Sequence, residues 1–135
     1  LVESQTRTLA ANPRILLYCS ESKDAKDLVS QLSQKYVVIQ TSRYRELEIL
    51  GAKDVYAMML IEIPRHEKAI LKTLKFIFKR QPQSLVVMLN GLPEQSTLAA
   101  AFQLGICDYF PAPVNISLLI ERIDVLLNEK RSEKI

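Results

Sequence analysis

Apolar and polar positions follow two rhythms along this chain, unbroken apolar runs and stripes of helical period. Arg14-Ile15-Leu16-Leu17-Tyr18-Cys19 is a near-continuous apolar run, the pattern of a strand covered on both faces. Ala25, Leu28, Val29 and Leu32 follow at i, i+3, i+4 and i+7, the stripe of an amphipathic helix. Tyr36-Val37-Val38-Ile39 is short and β-branched and predicts a second strand. A weaker helical stretch runs from Ser42 to Leu50, with Gly51 where a C-cap belongs. Val55 to Ile61 predicts a third strand ended by Pro64, and Arg65 to Gln81 is the longest helical candidate. Leu85-Val86-Val87-Met88-Leu89 predicts a fourth buried strand before an Asn90-Gly91 turn. Residues 94–104 are Ala-rich and helical up to Gly105, and Cys107-Asp108-Tyr109-Phe110 is a brief fifth strand bounded by Pro111 and Pro113. Asn115 then N-caps a last helix whose Ile116, Leu119, Ile120, Ile123, Leu126 and Leu127 share one stripe.

Five β-α units in strict alternation predict an α/β fold, a parallel sheet with helices on both faces. A length of 135 residues suits one domain with a single sizeable core. The domain is expected over residues 14–128, after a polar lead-in at 1–13 and before a charged extension or linker at 129–135. The chain begins at Leu1 without an initiator Met and reads as a piece of something longer.

Composition narrows the function classes. Apolar residues make up 48% and charged residues 24%, as in ordinary globular chains. No apolar run approaches the roughly 20 residues that cross a bilayer, so no membrane association is expected. A net charge of +3 is too mild to point to nucleic acid. The two cysteines, Cys19 and Cys107, form no C-x-x-C pair, and His66 is the lone histidine. Structural zinc takes about four such ligands, so no metal site is expected. Two isolated thiols in apolar runs read as small buried hydrophobes in a reducing, cytoplasmic setting.

In open α/β sheets function sits at the carboxyl ends of the strands. Here those positions are Cys19-Ser20-Glu21, Glu62, Asn90-Gly91 and Ala112-Pro113. This set and its spacing resemble the receiver (CheY-like) domain of two-component response regulators, over roughly residues 14 to 128. The most specific piece is Leu104-Gly105-Ile106-Cys107-Asp108-Tyr109-Phe110-Pro111-Ala112-Pro113, similar to the family's last motif. The resemblance implies a doubly wound, flavodoxin/CheY-like (β-α)5 sandwich with strand order 2-1-3-4-5. It also implies an acidic pair holding Mg²⁺ after the first strand, an Asp phosphoacceptor after the third, Thr or Ser after the fourth and Lys after the fifth. Metal and Lys would neutralise the charge on the phosphoryl oxygens.

Each of those positions departs from the family's pattern. The acidic pair falls on Cys19 and Ser20, with Glu21 one residue late, and neither Cys19 nor Ser20 suits a hard cation. Counting back from Pro113, the Lys position is Ala112, the hydroxyl position Asn90 and the acceptor position Glu62, or Met59 or Leu60 if the register shifts. Glu62 reads either as a solvated carboxylate or as a fixed charge mimicking an activated aspartate. Tyr109 occupies the place of the family's switch aromatic, and Ala112-Pro113 that of a bond that is usually cis. The expectation is a pseudo-receiver without catalysis and without a cofactor, Mg²⁺ included.

Function is then expected on surfaces. Lys68, Lys72, Lys75 and Lys79 lie within about 60° of one another on a helix, as a solvated face or a docking stripe with Phe76 as its apolar anchor. The resemblance implies a second surface, for a homodimer or an effector, on the fourth helix, fifth strand and fifth helix, near Phe102 and Gln103. The expected partner is a protein or an effector domain of the same chain. The rivals are a phosphocarrier enzyme using Cys19, against which Ser20-Glu21-Ser22-Lys23-Asp24 offers no glycine loop, and a receiver still phosphorylated or mimicked at Glu62.

Overall fold

The computed structural model describes residues 13–63 and 68–133. The lead-in at 1–12, the segment 64–67 with His66, the side chains from Lys130 onward and residues 134–135 lie outside the described residues. Five strands alternate with five helices. They are β1 (Arg14–Tyr18), α1 (Lys23–Leu32), β2 (Val37–Thr41), α2 (Tyr44–Lys53), β3 (Met58–Glu62), α3 (Lys68–Arg80), β4 (Leu85–Leu89), α4 (Gln95–Leu104), β5 (Asp108–Phe110) and α5 (Ile116–Glu133). The sheet is wholly parallel in the order β2-β1-β3-β4-β5. The expected fold class and strand order are both present.

Strand side chains point alternately to opposite faces, so consecutive apolar residues feed two cores. Ile15, Leu17, Met58 and Leu60 face α1 and α5, meeting Leu28, Leu32, Leu119, Ile123 and Leu127. Leu16, Met59, Ile61, Val86 and Met88 face the other helices, meeting Leu47 of α2, Ile70, Leu74 and Ile77 of α3, and Ala101 of α4. Unbroken apolar strands are thus the direct consequence of helices on both faces.

Two of the helices start at a capping side chain. Ser22 Oγ accepts from the Ala25 N–H at 3.1 Å before α1, and Asn115 Oδ1 accepts from the Leu118 N–H at 3.1 Å before α5. Such caps are each worth about 1 kcal/mol. Gly105 ends α4 at φ 127°, as expected. Gly51 does not end α2; the helix runs on to Lys53 with Asp54 as cap. A Cβ at Gly51 would meet the Phe76 ring at an ordinary contact distance of 3.9 Å, so neither space nor backbone conformation demands the glycine. The last helix continues past residue 128, through Glu133.

A polar clamp closes the amino-terminal end of the sheet. Gln81 is 4% exposed; its Nε2 donates to the Gly51 carbonyl at 2.8 Å and to the Asp54 carbonyl, and its Oε1 accepts from the Tyr56 N–H at 3.2 Å. Nothing in the sequence pattern singles out this residue.

Candidate functional site

The strand order reverses at β1, with β2 on one side and β3 on the other. The crevice over this reversal is where ligands meet open α/β sheets. Parallel register pairs Tyr18 with Ile61 and Glu62 with Leu89, so the next residues of β1 and β4, Cys19 and Asn90, flank Glu62. Glu62 is half-buried and both of its oxygens are engaged. The Ser20 N–H donates to Oε1 at 2.9 Å, and Asn90 Nδ2 donates to Oε2 at 2.8 Å. Two loops converge on the strand end and aim donors at the Glu62 carboxylate, which keeps partial exposure. Met59 and Leu60 are fully buried within β3.

Cys19 is 6% exposed, and Gln40 Nε2 lies 3.8 Å from its Sγ. Burial first, and the nearby Glu62 charge second, push its thiol up to about 11 against a lowering hydrogen bond from Gln40. The thiolate is the reactive form of cysteine. At neutral pH Cys19 is a protonated thiol with little access, a poor phosphocarrier nucleophile.

Cys19, Asp24, Leu28, Glu62, Asn90 and Pro113 help line a cavity of about 70 Å³. That is room for about two waters. Its lining carries the carboxylates of Asp24 and Glu62 and no cationic side chain among the described residues. An anion placed there faces uncompensated negative charge. Glu21 is exposed and belongs to a separate groove of about 350 Å³ with Lys26 and Gln40. Ala112 is exposed, and the Ala112-Pro113 bond is cis.

These residues do not suit the Mg²⁺ that the resemblance implies. Hard cations take several anionic or carbonyl oxygens. Here Cys19 offers a protonated sulfur and Ser20 a neutral hydroxyl where the resemblance implies an acidic pair.

Tyr109 is half-buried, packs on the core that holds Ala101 of α4, and donates from its hydroxyl to the Gly91 carbonyl at 2.7 Å. Asn90 and Gly91 turn in the left-handed region, at φ 53° and 100°. The Asn-Gly pair signals such a turn in the sequence. Its partnership with Glu62 carries no such signal.

The surface residues divide. Lys72, Lys75 and Lys79 are exposed on the outer face of α3, while the Lys68 side chain lies outside the described residues. Phe76 does not stand with them, a correction to its expected role as anchor. Its ring turns to α2 at Gly51 and lies under the Arg80 guanidinium at 5.7 Å, because the second core extends across that flank. Phe102, 45% exposed, and Gln103 sit on the outside of α4. Arg122 Nε of α5 bonds Asp108 Oδ2 of β5 at 2.9 Å and ties that surface together.

No family model matches the chain, and no curated protein matches it. Solved structures do. A CheY-like receiver domain from Methanospirillum hungatei JF-1 superposes with a TM-score of 0.80 at 22% identity, over 90% of this chain and 98% of that one. An adenylate cyclase structure from Rhodopirellula baltica gives 0.78 at 16% identity, over 91% and 93%. The beryllofluoride-activated NtrC4 receiver domain dimer gives 0.74 at 18% identity, over 87% and 98%. The fold of this chain is that of a response-regulator receiver domain. Among the described residues, no helix is long and apolar enough to cross a membrane.

Proposed function

We propose that this chain is a pseudo-receiver, a regulatory module that works through protein–protein contact without phosphorylation, catalysis or bound Mg²⁺. The observation that carries the reading is the state of Glu62. Its carboxylate stands at the strand end where the fold's phosphoacceptor is expected, and both oxygens are held by Ser20 and Asn90. Phosphoryl transfer needs positive charge around the moving group. The described lining supplies carboxylates instead, and position 112 supplies a methyl group in place of an ammonium. Cys19 gives no alternative acceptor, since its thiol keeps its proton up to about 11.

The partner is a protein or an effector domain of the same chain, in a cytoplasmic setting that suits two free thiols. Two surfaces are available to it, the α3 lysines and the face of α4, β5 and α5 bearing Phe102 and Gln103. The second also suits a homodimer, as the dimeric solved receiver supports. Intact-mass spectrometry after incubation with acetyl phosphate and Mg²⁺ tests the reading. An unchanged mass is expected, and the gain of one phosphoryl group mapped to Glu62 or Cys19 overturns it.

A further inference from the structure

We propose that β2 is a self-association edge, on which a second copy of this chain pairs its own β2 antiparallel about a two-fold axis through Ile39. The inference goes beyond the reading above. It joins two copies at the sheet edge opposite β5 and leaves both partner surfaces open.

Natural proteins blunt an edge strand with charge, proline or a bulge. β2 has none of these. Tyr36-Val37-Val38-Ile39-Gln40-Thr41 is uncharged, free of proline and rich in β-branched residues, and its register with β1 is regular. The Val37 N–H donates to the Pro13 carbonyl at 3.0 Å, and the Thr41 carbonyl accepts from the Cys19 N–H at 3.1 Å. Alternate residues 37, 39 and 41 therefore face β1. The N–H and C=O of Val38 and Gln40 turn outward, where no further strand lies among the described residues.

This spacing is self-complementary. With the axis at Ile39, Val38 meets Gln40 of the second copy and Gln40 meets its Val38, each pair exchanging two main-chain hydrogen bonds. Ile39 then lies against Ile39 of the second copy. Val37, which is 46% exposed, gains Thr41 of the second copy as its cross-strand neighbour.

Charge on α2 selects a second copy over an unrelated strand. α2 turns back from the end of β2 and runs about 15 Å, roughly the length of β2, so the two share a midpoint. At about 100° per residue, Gly51 lies on the flank of α2 that meets Phe76, and Leu50, Glu46 and Lys53 lie on the other, towards β2. Leu50 is half-buried in the same core as Ile39, and exposed Glu46 and Lys53 stand at either end of it. Antiparallel pairing sets Glu46 against Lys53 of the second copy, once on each side of the axis. On the opposite face of the sheet, Ala25 and Val29 of α1 line the groove beside Gln40, an apolar strip that pairing brings towards α1 of the second copy.

Sedimentation equilibrium of the full chain is expected to show a monomer–dimer equilibrium. Val38→Pro removes an outward N–H without touching the ladder to β1, and is expected to weaken the dimer about tenfold. Glu46→Lys and Lys53→Glu each set like charges across the axis, and each is expected to weaken it about fivefold. Mixing these two variants restores both charge pairs, so a heterodimer of native strength is expected. Phe102→Glu, on α4, is expected to leave the dimer intact. Amide exchange at Val38 and Gln40 is expected to slow as the chain is concentrated.

A chain that stays monomeric at millimolar concentration overturns the proposal. So does a dimer that Phe102→Glu dissolves and Val38→Pro leaves whole, or a mixture of the two charge variants that fails to pair.

Discussion

The two ends of the sheet handle polar groups in opposite ways. At the amino-terminal end Gln81 is enclosed, and its amide satisfies backbone groups of α2 and of the approach to β3. At the same end, Asp124 of α5 accepts from the Tyr36 hydroxyl and, in an exposed bond, from Lys35 Nζ at 2.9 Å, stapling the last helix to the start of β2. At the carboxyl end Glu62 collects donors from two loops but borders a cavity. Enclosed bonds of the first kind stabilise the fold and leave nothing for a partner. Bonds of the second kind join the loops after β1 and β4 to the end of β3. The contrast places enclosed bonds at one end and bonds between loops at the other.

The strongest attempt to break this contrast is Gln81→Leu. Losing a buried amide that serves three backbone groups is expected to destabilise the fold by about 3 kcal/mol, read by urea denaturation. A loss near that at Glu62→Gln in the same assay would erase the distinction. Asp124→Asn is expected to cost about 1 kcal/mol. Desolvation opposes ionisation of Asp124, but the Tyr36 and Lys35 bonds prevail and hold its carboxyl below 3.8. A depressed carboxyl stabilises the folded chain above its unfolded value, and that part is lost as pH falls through the folded value. Acid titrations of native and Asp124→Asn chains should therefore converge below pH 3.8.

Cys19 sharpens the comparison at alkaline pH. Its thiol is raised from 9.0 to about 11 by burial and by Glu62, so the unfolded chain releases this proton first. Stability from this group is present below pH 9.0 and falls as pH rises towards about 11. Denaturation midpoints of native and Cys19→Ala chains across that window measure the difference. The smallest effect on folding belongs to Lys72→Glu, Lys75→Glu and Lys79→Glu, each expected within about 0.5 kcal/mol of native. Together they should leave the midpoint nearly fixed and abolish capture of an acidic partner if α3 is the docking face.

Much of the fold was legible in the residues. The apolar runs at 15–17 and 85–89, the stripe Ala25-Leu28-Val29-Leu32 and the stop at Gly105 each became the element they predict. The errors are instructive. Gly51 looked like a helix end, but α2 runs on to Lys53 with Asp54 as its cap. Phe76 looked like a surface anchor, but α2 and Arg80 cover its ring. The placement of Phe76 depends on how α2 meets α3, which no single helix period records. Of the candidate site, spacing put Cys19, Ser20, Glu62 and Asn90 at strand ends, and their hydrogen bonds and the neighbours Gln40 and Asp24 came only with the fold.

By itself the sequence determined the alternation of buried strands and amphipathic helices, and with it a parallel sheet covered on both sides. Those patterns are local, because a strand or a helix shows its buried face within a few residues. It also carried the expectation of missing phosphorylation chemistry, since Cys19, Ser20, Asn90 and Ala112 cannot supply a carboxylate pair, a hydroxyl or a lysine at those places. The tertiary structure decided what Glu62 does. Its donors lie 42 residues before it and 28 after it, and only the β1-β3-β4 order and register bring all three to one crevice. Hydrogen-bond partnership across strand ends depends on that long-range arrangement, which the period of a strand does not encode.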